Sequence, residues 1–138
     1  MQAHLVHPGT RVVAYILAAS SATAMLYVGF YQSRAVQHLW CPVFGTGCEA
    51  VADAPFARPF GIPDGHIAAV LYGLILVLLL GPVEKLSIGV PLLILAGLAT
   101  LANALGVWDM ARLGHFCFYC VFTTIASPVL LWAVWRLR

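Results

Sequence analysis

Four stretches of this 138-residue chain, 12–31, 65–83, 86–108 and 113–135, contain no Asp, Glu, Lys or Arg. A helix rises about 1.5 Å per residue, so roughly 20 residues cross a hydrocarbon core of about 30 Å. Each stretch meets that length. In lipid a backbone must satisfy its own hydrogen bonds, so helices are expected. No alternation of apolar and polar residues suggests a barrel. The chain is 62% hydrophobic and 9% charged, far too apolar for the surface of a soluble domain of this length. The expected fold is an all-α membrane protein, a four-transmembrane-helix bundle forming one domain over residues 1–138. Its helices are expected at about 12–31, 64–83, 87–108 and 115–136, with a long outer loop at 32–63. The first span is too long for a signal peptide, and no small-residue cleavage site follows it.

Four spans put both termini on one side, with Arg11, Lys85, Arg136 and Arg138. Arg34, Arg58 and Arg112 fall on the other. The positive-inside rule favours cytoplasmic termini. The basic residues form no stripe, which argues against nucleic acid as a partner. Residues 32–63 are long for a structureless connection. Thr46-Gly47-Cys48-Glu49 reads as a capping box that opens a short helix through Asp53, ended by Pro55. That places Cys48 at the second helical position, where the helix dipole favours a thiolate and Glu49 opposes it. Val51, Phe56 and Phe60 are expected to anchor the loop on the bundle, with Tyr31 and Trp40 at the membrane interface.

All four cysteines fall on the outer face of this topology, the oxidising side. Cys117-Phe118-Tyr119-Cys120 opens the fourth span. Cysteines three apart at a helix start share a face, close enough to bridge, and exposed backbone N–H groups there favour a thiolate. Cys41 and Cys48 lie on the loop. A mobile pair that meets a soluble partner and a fixed pair near lipid make a relay. Thiol–disulfide exchange moves two electrons at a time, and a membrane-soluble two-electron acceptor is a quinone. Two inert disulfides in a structural membrane subunit use the same four residues, with three connectivities open. A zinc site is the further alternative, though the spacing of the first pair is wrong for a ribbon. Haem attachment needs His after the second Cys of the motif, where this chain has Val121. A transporter reading finds neither a charged residue within a span nor a broken-helix repeat.

Taken together, Cys41, Cys48, Pro55-Phe56, Phe60-Gly61-Ile62-Pro63 and Gly114-His115-Phe116-Cys117-Phe118-Tyr119-Cys120 resemble, in order and spacing, the vitamin K epoxide reductase family in its bacterial branch. The resemblance covers nearly the whole chain. It implies a four-helix bundle around a quinone (ubiquinone or menaquinone) in the bacterial inner membrane. It also implies an enzyme that reoxidises a thioredoxin-like periplasmic or extracellular protein and passes the electrons to the quinone. Carried over, Cys41 exchanges with the partner, Cys48 passes electrons to Cys117, and Cys120 is the thiol beside the quinone. Quinone or vitamin K epoxide reduction as the main task uses the same residues. One departure is Ala54, which stands six residues after Cys48 where the family has Ser or Thr supporting the loop or the quinone pocket. Asp53 or Asp64 could supply that polarity. Asp64 and Gly65 also replace residues that are apolar in many bacterial members. The fused thioredoxin domain of some members is absent, so the partner is expected to be a separate protein.

Several other residues carry two readings. Asn103, a polar residue within a span, either donates to a quinone carbonyl or bonds a neighbouring helix. Trp108, Phe116, Phe118 and Tyr119 either wall an aromatic quinone slot or belong to the interfacial belt. His66 and His115 either move protons or sit solvated. Ala14, Ala18 and Ala22 form a small-residue stripe suited to close helix packing.

Overall fold

The computed structural model describes residues 8–137; Arg138, one of the basic residues in the topology argument, lies outside them. The described residues are helical, with no strand among them. They form α1 (Pro8–Gln32), α2 (Gly47–Ala52), α3 (Asp64–Leu79), α4 (Leu86–Leu113) and α5 (Phe118–Leu137). Two single 3-10 turns, Pro55–Ala57 and Pro59–Gly61, lie between α2 and α3. α1 packs against α3 and α5, and α4 packs against α5 and α3, so the four long helices close a ring.

The bundle is inside-out relative to a soluble one. Small residues face inward on α1, with Ala14, Ala18 and Ser21 buried. Large apolar side chains face outward at helical spacing: Val70, Leu74 and Val77 on α3, and Ile94, Leu98, Leu101 and Leu105 on α4. In water such stripes would exceed any tolerable apolar patch, whereas in lipid they are solvated. α1, α4 and α5 are long and apolar enough to cross a membrane. α3 is a shorter apolar helix of 16 residues.

Helix ends differ from expectation where local chemistry decides. α3 stops at Leu79 rather than near residue 83. Pro82 biases Gly81 away from the helical region, and Arg11 takes over the freed carbonyls. Its Nη2 donates to Leu79 O and Gly81 O, both at 2.7 Å, while Tyr15 Oη–H donates to Leu79 O at 2.8 Å. α4 runs past Trp108 to Leu113 because nothing between them breaks a helix. Gly114, at φ 80°, ends it in the left-handed conformation, with its N–H on Met110 O at 2.9 Å. The helix expected to end near residue 108 therefore continues through 109–113, and the connector is 114–117. α5 begins at Phe118, so Cys117 immediately precedes the helix rather than lying within it.

At the cysteine end α1 and α3 meet backbone to backbone. A Cβ on Gly65 would collide with the Gly29 amide nitrogen and Cα. Gln32, buried at the end of α1, knots this region together. Its Nε2 donates to Asp64 Oδ1 at 2.8 Å and Ala52 O at 3.2 Å, and its Oε1 accepts from Gly65 N–H at 3.0 Å.

Candidate active site

The short α2 forms where expected, with Cys48 as its second residue. The capping box does not. Thr46 precedes the helix without a side-chain cap, and Glu49 Oε1 instead accepts the Leu39 N–H at 3.1 Å. Glu49 thus ties α2 to the strand of loop that carries Cys41. Trp40 is held from both sides. Its N–H donates to Tyr27 Oη at 3.1 Å, and its carbonyl accepts from Tyr119 Oη at 2.5 Å. Cys41 and Cys48 form a disulfide, and Cys117 and Cys120 are free thiols. Within the bridged loop, Phe44 N–H donates to Pro42 O at 3.0 Å across Val43, whose φ is 78°. That is a γ-turn of the strained type, rare for a β-branched residue.

Two chain segments touch where Gly47 lies against the 114–117 connector. A Cβ on Gly47 would run into the Phe116 carbonyl oxygen. The contact seats the Phe44 and Phe116 rings against each other, centroids 6.1 Å apart. It also brings the two cysteine pairs together. Phe118 N–H, the first free amide of α5, donates to Cys48 Sγ at 3.2 Å. Cys117 is the residue before it, and its own N–H points to Met110 Sδ at 3.4 Å. Cys48 and Cys117 are both buried in one cluster with Val28, Leu39, Val51 and Met110. A hydrogen bond with the Cys120 thiol holds Cys117 below the ordinary thiol range, against the burial that pushes it up. The geometry suits thiolate chemistry: a helix N-terminal amide is aimed at one sulfur, and a neighbouring thiol stabilises another.

Beneath the sulfurs a cavity of about 420 Å³ opens in the centre of the bundle. Val51, Phe56 and Pro59 of the loop lie over it, and Ile67, Leu71 and Leu105 line its sides. Its polar points are Asp64, Tyr72, Asn103, Asp109, Cys120 and Thr124. Apolar walls with a few convergent polar groups are the usual form of a small-molecule site.

Of the residues expected at a ligand, Asn103 and Cys120 line this cavity, and Trp108, Phe116, Tyr119 and Ala54 do not. Trp108 is 65% exposed on the outer face of α4. Phe116 is spent on Phe44 and Tyr119 on the Trp40 carbonyl. Ala54 is buried in the loop as the residue that opens the first 3-10 turn. The loop support that a hydroxyl could give there comes from Tyr31 Oη–H on Asp53 Oδ2 at 2.9 Å and from Gln32. Of the two polar replacements weighed, only Asp64 reaches the cavity. Phe60 is no anchor: it is 98% exposed at φ 60°. His66 packs beside Gly29 and Phe30, and neither it nor His115 lines the cavity.

Sequence reasoning missed Gly47, Gln32 and Tyr72. Gln32 gave the clearest signal, an uncharged polar residue ending an apolar run. Tyr72 gave a similar one, a hydroxyl in mid-span, where an unpaired polar group is costly.

Comparison with curated proteins and with solved structures returns no match. A model of the vitamin K epoxide reductase family does match, over residues 12–135, which takes in all four cysteines, the cavity and the loop above it, and the chain therefore belongs to that family of membrane oxidoreductases.

Proposed function

We propose that the chain is a quinone-linked thiol–disulfide oxidoreductase of a bacterial plasma membrane, with four spans, cytoplasmic termini and its cysteines on the outer face. α3 serves as the fourth span. Arg11 meets its end at Leu79, and Gly29 meets its start at Gly65, so it runs beside residues 11–29 of α1, roughly 27 Å of helix. The disulfide between Cys41 and Cys48 fits an oxidising compartment.

The observation that carries the reading is one unbroken path. It runs from the half-buried Cys41 to Cys48, from Cys48 Sγ to the α5 N-terminus beside Cys117, and from Cys117 to Cys120 on the cavity wall. A partner thiolate attacks Cys41 Sγ and expels Cys48 thiolate. The partner's second thiol resolves the mixed disulfide and leaves Cys41 and Cys48 reduced. Cys48 thiolate attacks Cys117 Sγ of an oxidised Cys117–Cys120 bond and expels Cys120 thiolate. Cys41 then attacks Cys48 and frees Cys117. The product has the outer pair oxidised and the inner pair reduced, the arrangement in this structure. The inner pair passes two electrons and two protons to a quinone in the cavity, and the Cys117–Cys120 bond reforms.

The purified protein in lipid vesicles, given a reduced thioredoxin-like protein and ubiquinone or menaquinone, should yield one quinol per dithiol oxidised. Cys120→Ala should yield none. Undiminished quinone reduction by that variant refutes the assignment.

A further inference from the structure

A second recess, of about 750 Å³, opens where the end of α1 meets the outer loop. Its lining is polar and carries both signs of charge. Tyr31 and Arg34 come from the end of α1 and the turn after it, Asp53 from the end of α2, and Arg58 from between the two 3-10 turns. None of its residues lines the central cavity. α1 is long and apolar enough to cross a membrane and ends at Gln32, so the recess opens at the depth of lipid head groups.

The two guanidinium groups have donors to spare. Arg58 Nη2 donates to Gln32 O at 2.8 Å, which leaves the rest of its fork free. Arg34 donates no side-chain hydrogen bond, and neither arginine pairs with a carboxylate, among the described residues. The backbone adds an independent sign. α1 closes in a Schellman motif, with Ala35 N–H on Phe30 O at 2.9 Å and Arg34 N–H on Tyr31 O at 3.0 Å. Arg34 therefore takes φ 66°, in the place glycine fills without strain. The chain holds a long cation where the turn alone favours no side chain, and strain of this kind gathers at functional sites.

Asp53 decides what sort of anion fits. Its Oδ2 accepts Tyr31 Oη–H at 2.9 Å, and its Oδ1 has no partner among the described residues. A purely acidic lipid or an acidic peptide would satisfy the arginines and set its charge against Asp53. A ligand with a phosphate and a primary ammonium satisfies both signs.

We propose that this recess binds the phosphoethanolamine head group of a membrane lipid, with the phosphate on Arg34 and Arg58 and the ammonium on Asp53. Arginine pairs a phosphate through two parallel bonds. The ammonium brings three N–H donors to the carboxylate, which the quaternary head group of phosphatidylcholine lacks. The bound head group would join the end of α1 to the loop above the central cavity, and its occupancy is independent of any quinone.

The test uses the full chain in vesicles of equal parts phosphatidylethanolamine, phosphatidylglycerol and phosphatidylcholine. After mild detergent extraction, native mass spectrometry counts the lipid each protein retains. Wild type should retain phosphatidylethanolamine about tenfold over the other two, the range of one charge-assisted hydrogen bond. Arg34→Gly removes the cation and the strain together, so it should lose that preference with no fall in thermal midpoint. Asp53→Asn keeps an acceptor for Tyr31 and removes the charge, so phosphatidylglycerol should then compete at least equally. Equal retention of all three lipids by wild type overturns the proposal, as does a wild-type preference for phosphatidylglycerol. So does a preference that survives both substitutions. Retention against equimolar free phosphoethanolamine supports a lipid, whose chains add apolar contact, and displacement by it overturns the lipid as occupant.

Discussion

Gly47→Ala places one methyl group between the two redox pairs. The added Cβ would overlap the Phe116 carbonyl oxygen, with Phe44 Cβ at 3.3 Å closing the other side. Neither obstacle is the loose end of a flexible chain, so α2 and the 114–117 connector must separate by on the order of 1 Å, and a misplacement of that size can slow a reaction about a hundredfold. The shift acts where it matters most, because Cys48 follows Gly47 and Cys117 follows Phe116. It lifts Cys48 Sγ away from the Phe118 amide, now 3.2 Å from it. The single turnover to measure starts with a reduced outer pair and an oxidised inner pair, quenched with a thiol-trapping reagent at timed intervals. Transfer between the pairs should slow by about 100-fold. The attack of a soluble dithiol on Cys41 should keep its rate, since Cys41 is not at the contact. Gly97→Ala is the comparison, because nothing lies within 4 Å of a Cβ there, and its transfer rate should match wild type. A folded Gly47→Ala protein that transfers within threefold of wild type would show that the contact does not set the sulfur geometry.

Other substitutions probe the frame around the relay. Gly65→Ala, with its Cβ against the Gly29 backbone, should cost about 1–3 kcal/mol or more as overpacking; thermal unfolding in detergent reads it, and an unchanged midpoint would count against the backbone contact. Gln32→Leu orphans the Gly65 N–H and strips Asp64 of its donor, a loss of about 1–3 kcal/mol for each buried group left unpaired. It should also expose residues 47–61 to protease, which intact resistance would contradict. Cys117 is held below the ordinary thiol range chiefly by its bond with Cys120. Below its pKa a thiol is protonated and inert, so its thiolate absorbance should appear at lower pH than in free cysteine. Cys120→Ala should push that onset upward, and an onset that stays in place would remove Cys120 as the cause.

The long apolar helices and the sulfurs were legible because they are written in composition and spacing. Uncharged runs require lipid, and the Cys-x-x-Cys motif requires two sulfurs on one helix start. Helix ends were less legible, because they depend on partners far along the chain. Arg11 supports the end of α3 from 68 residues away. The cavity wall was least legible. Trp108 and Tyr119 were plausible aromatic linings, yet a residue's facing depends on which neighbour its helix packs against, and one helical step turns a ring from the centre of the bundle to its surface. Asn103 was visible as a polar residue in a span, but its role depended on the Ala99 carbonyl, four residues back, and on Tyr72 across the ring of helices.

The division of labour between loop and bundle follows from what each carrier can reach. On the proposed reading the donor is a soluble protein, so the first sulfur must meet water, and Cys41 is the partly exposed member of its pair. The acceptor is dissolved in lipid, so the last sulfur must meet a cavity within the bundle, as Cys120 does. The two sulfurs between them, Cys48 and Cys117, are fully buried. Burial there keeps external thiols away from the middle of the chain, so electrons enter at Cys41 and leave at Cys120 rather than short-circuiting to a passing thiol. The strained turn at Val43 and the three tethers on Leu39 and Trp40 hold the entrance disulfide in one place on this shielded junction. Direction therefore comes from which sulfurs are covered, a property of packing that no spacing of cysteines in the sequence specifies.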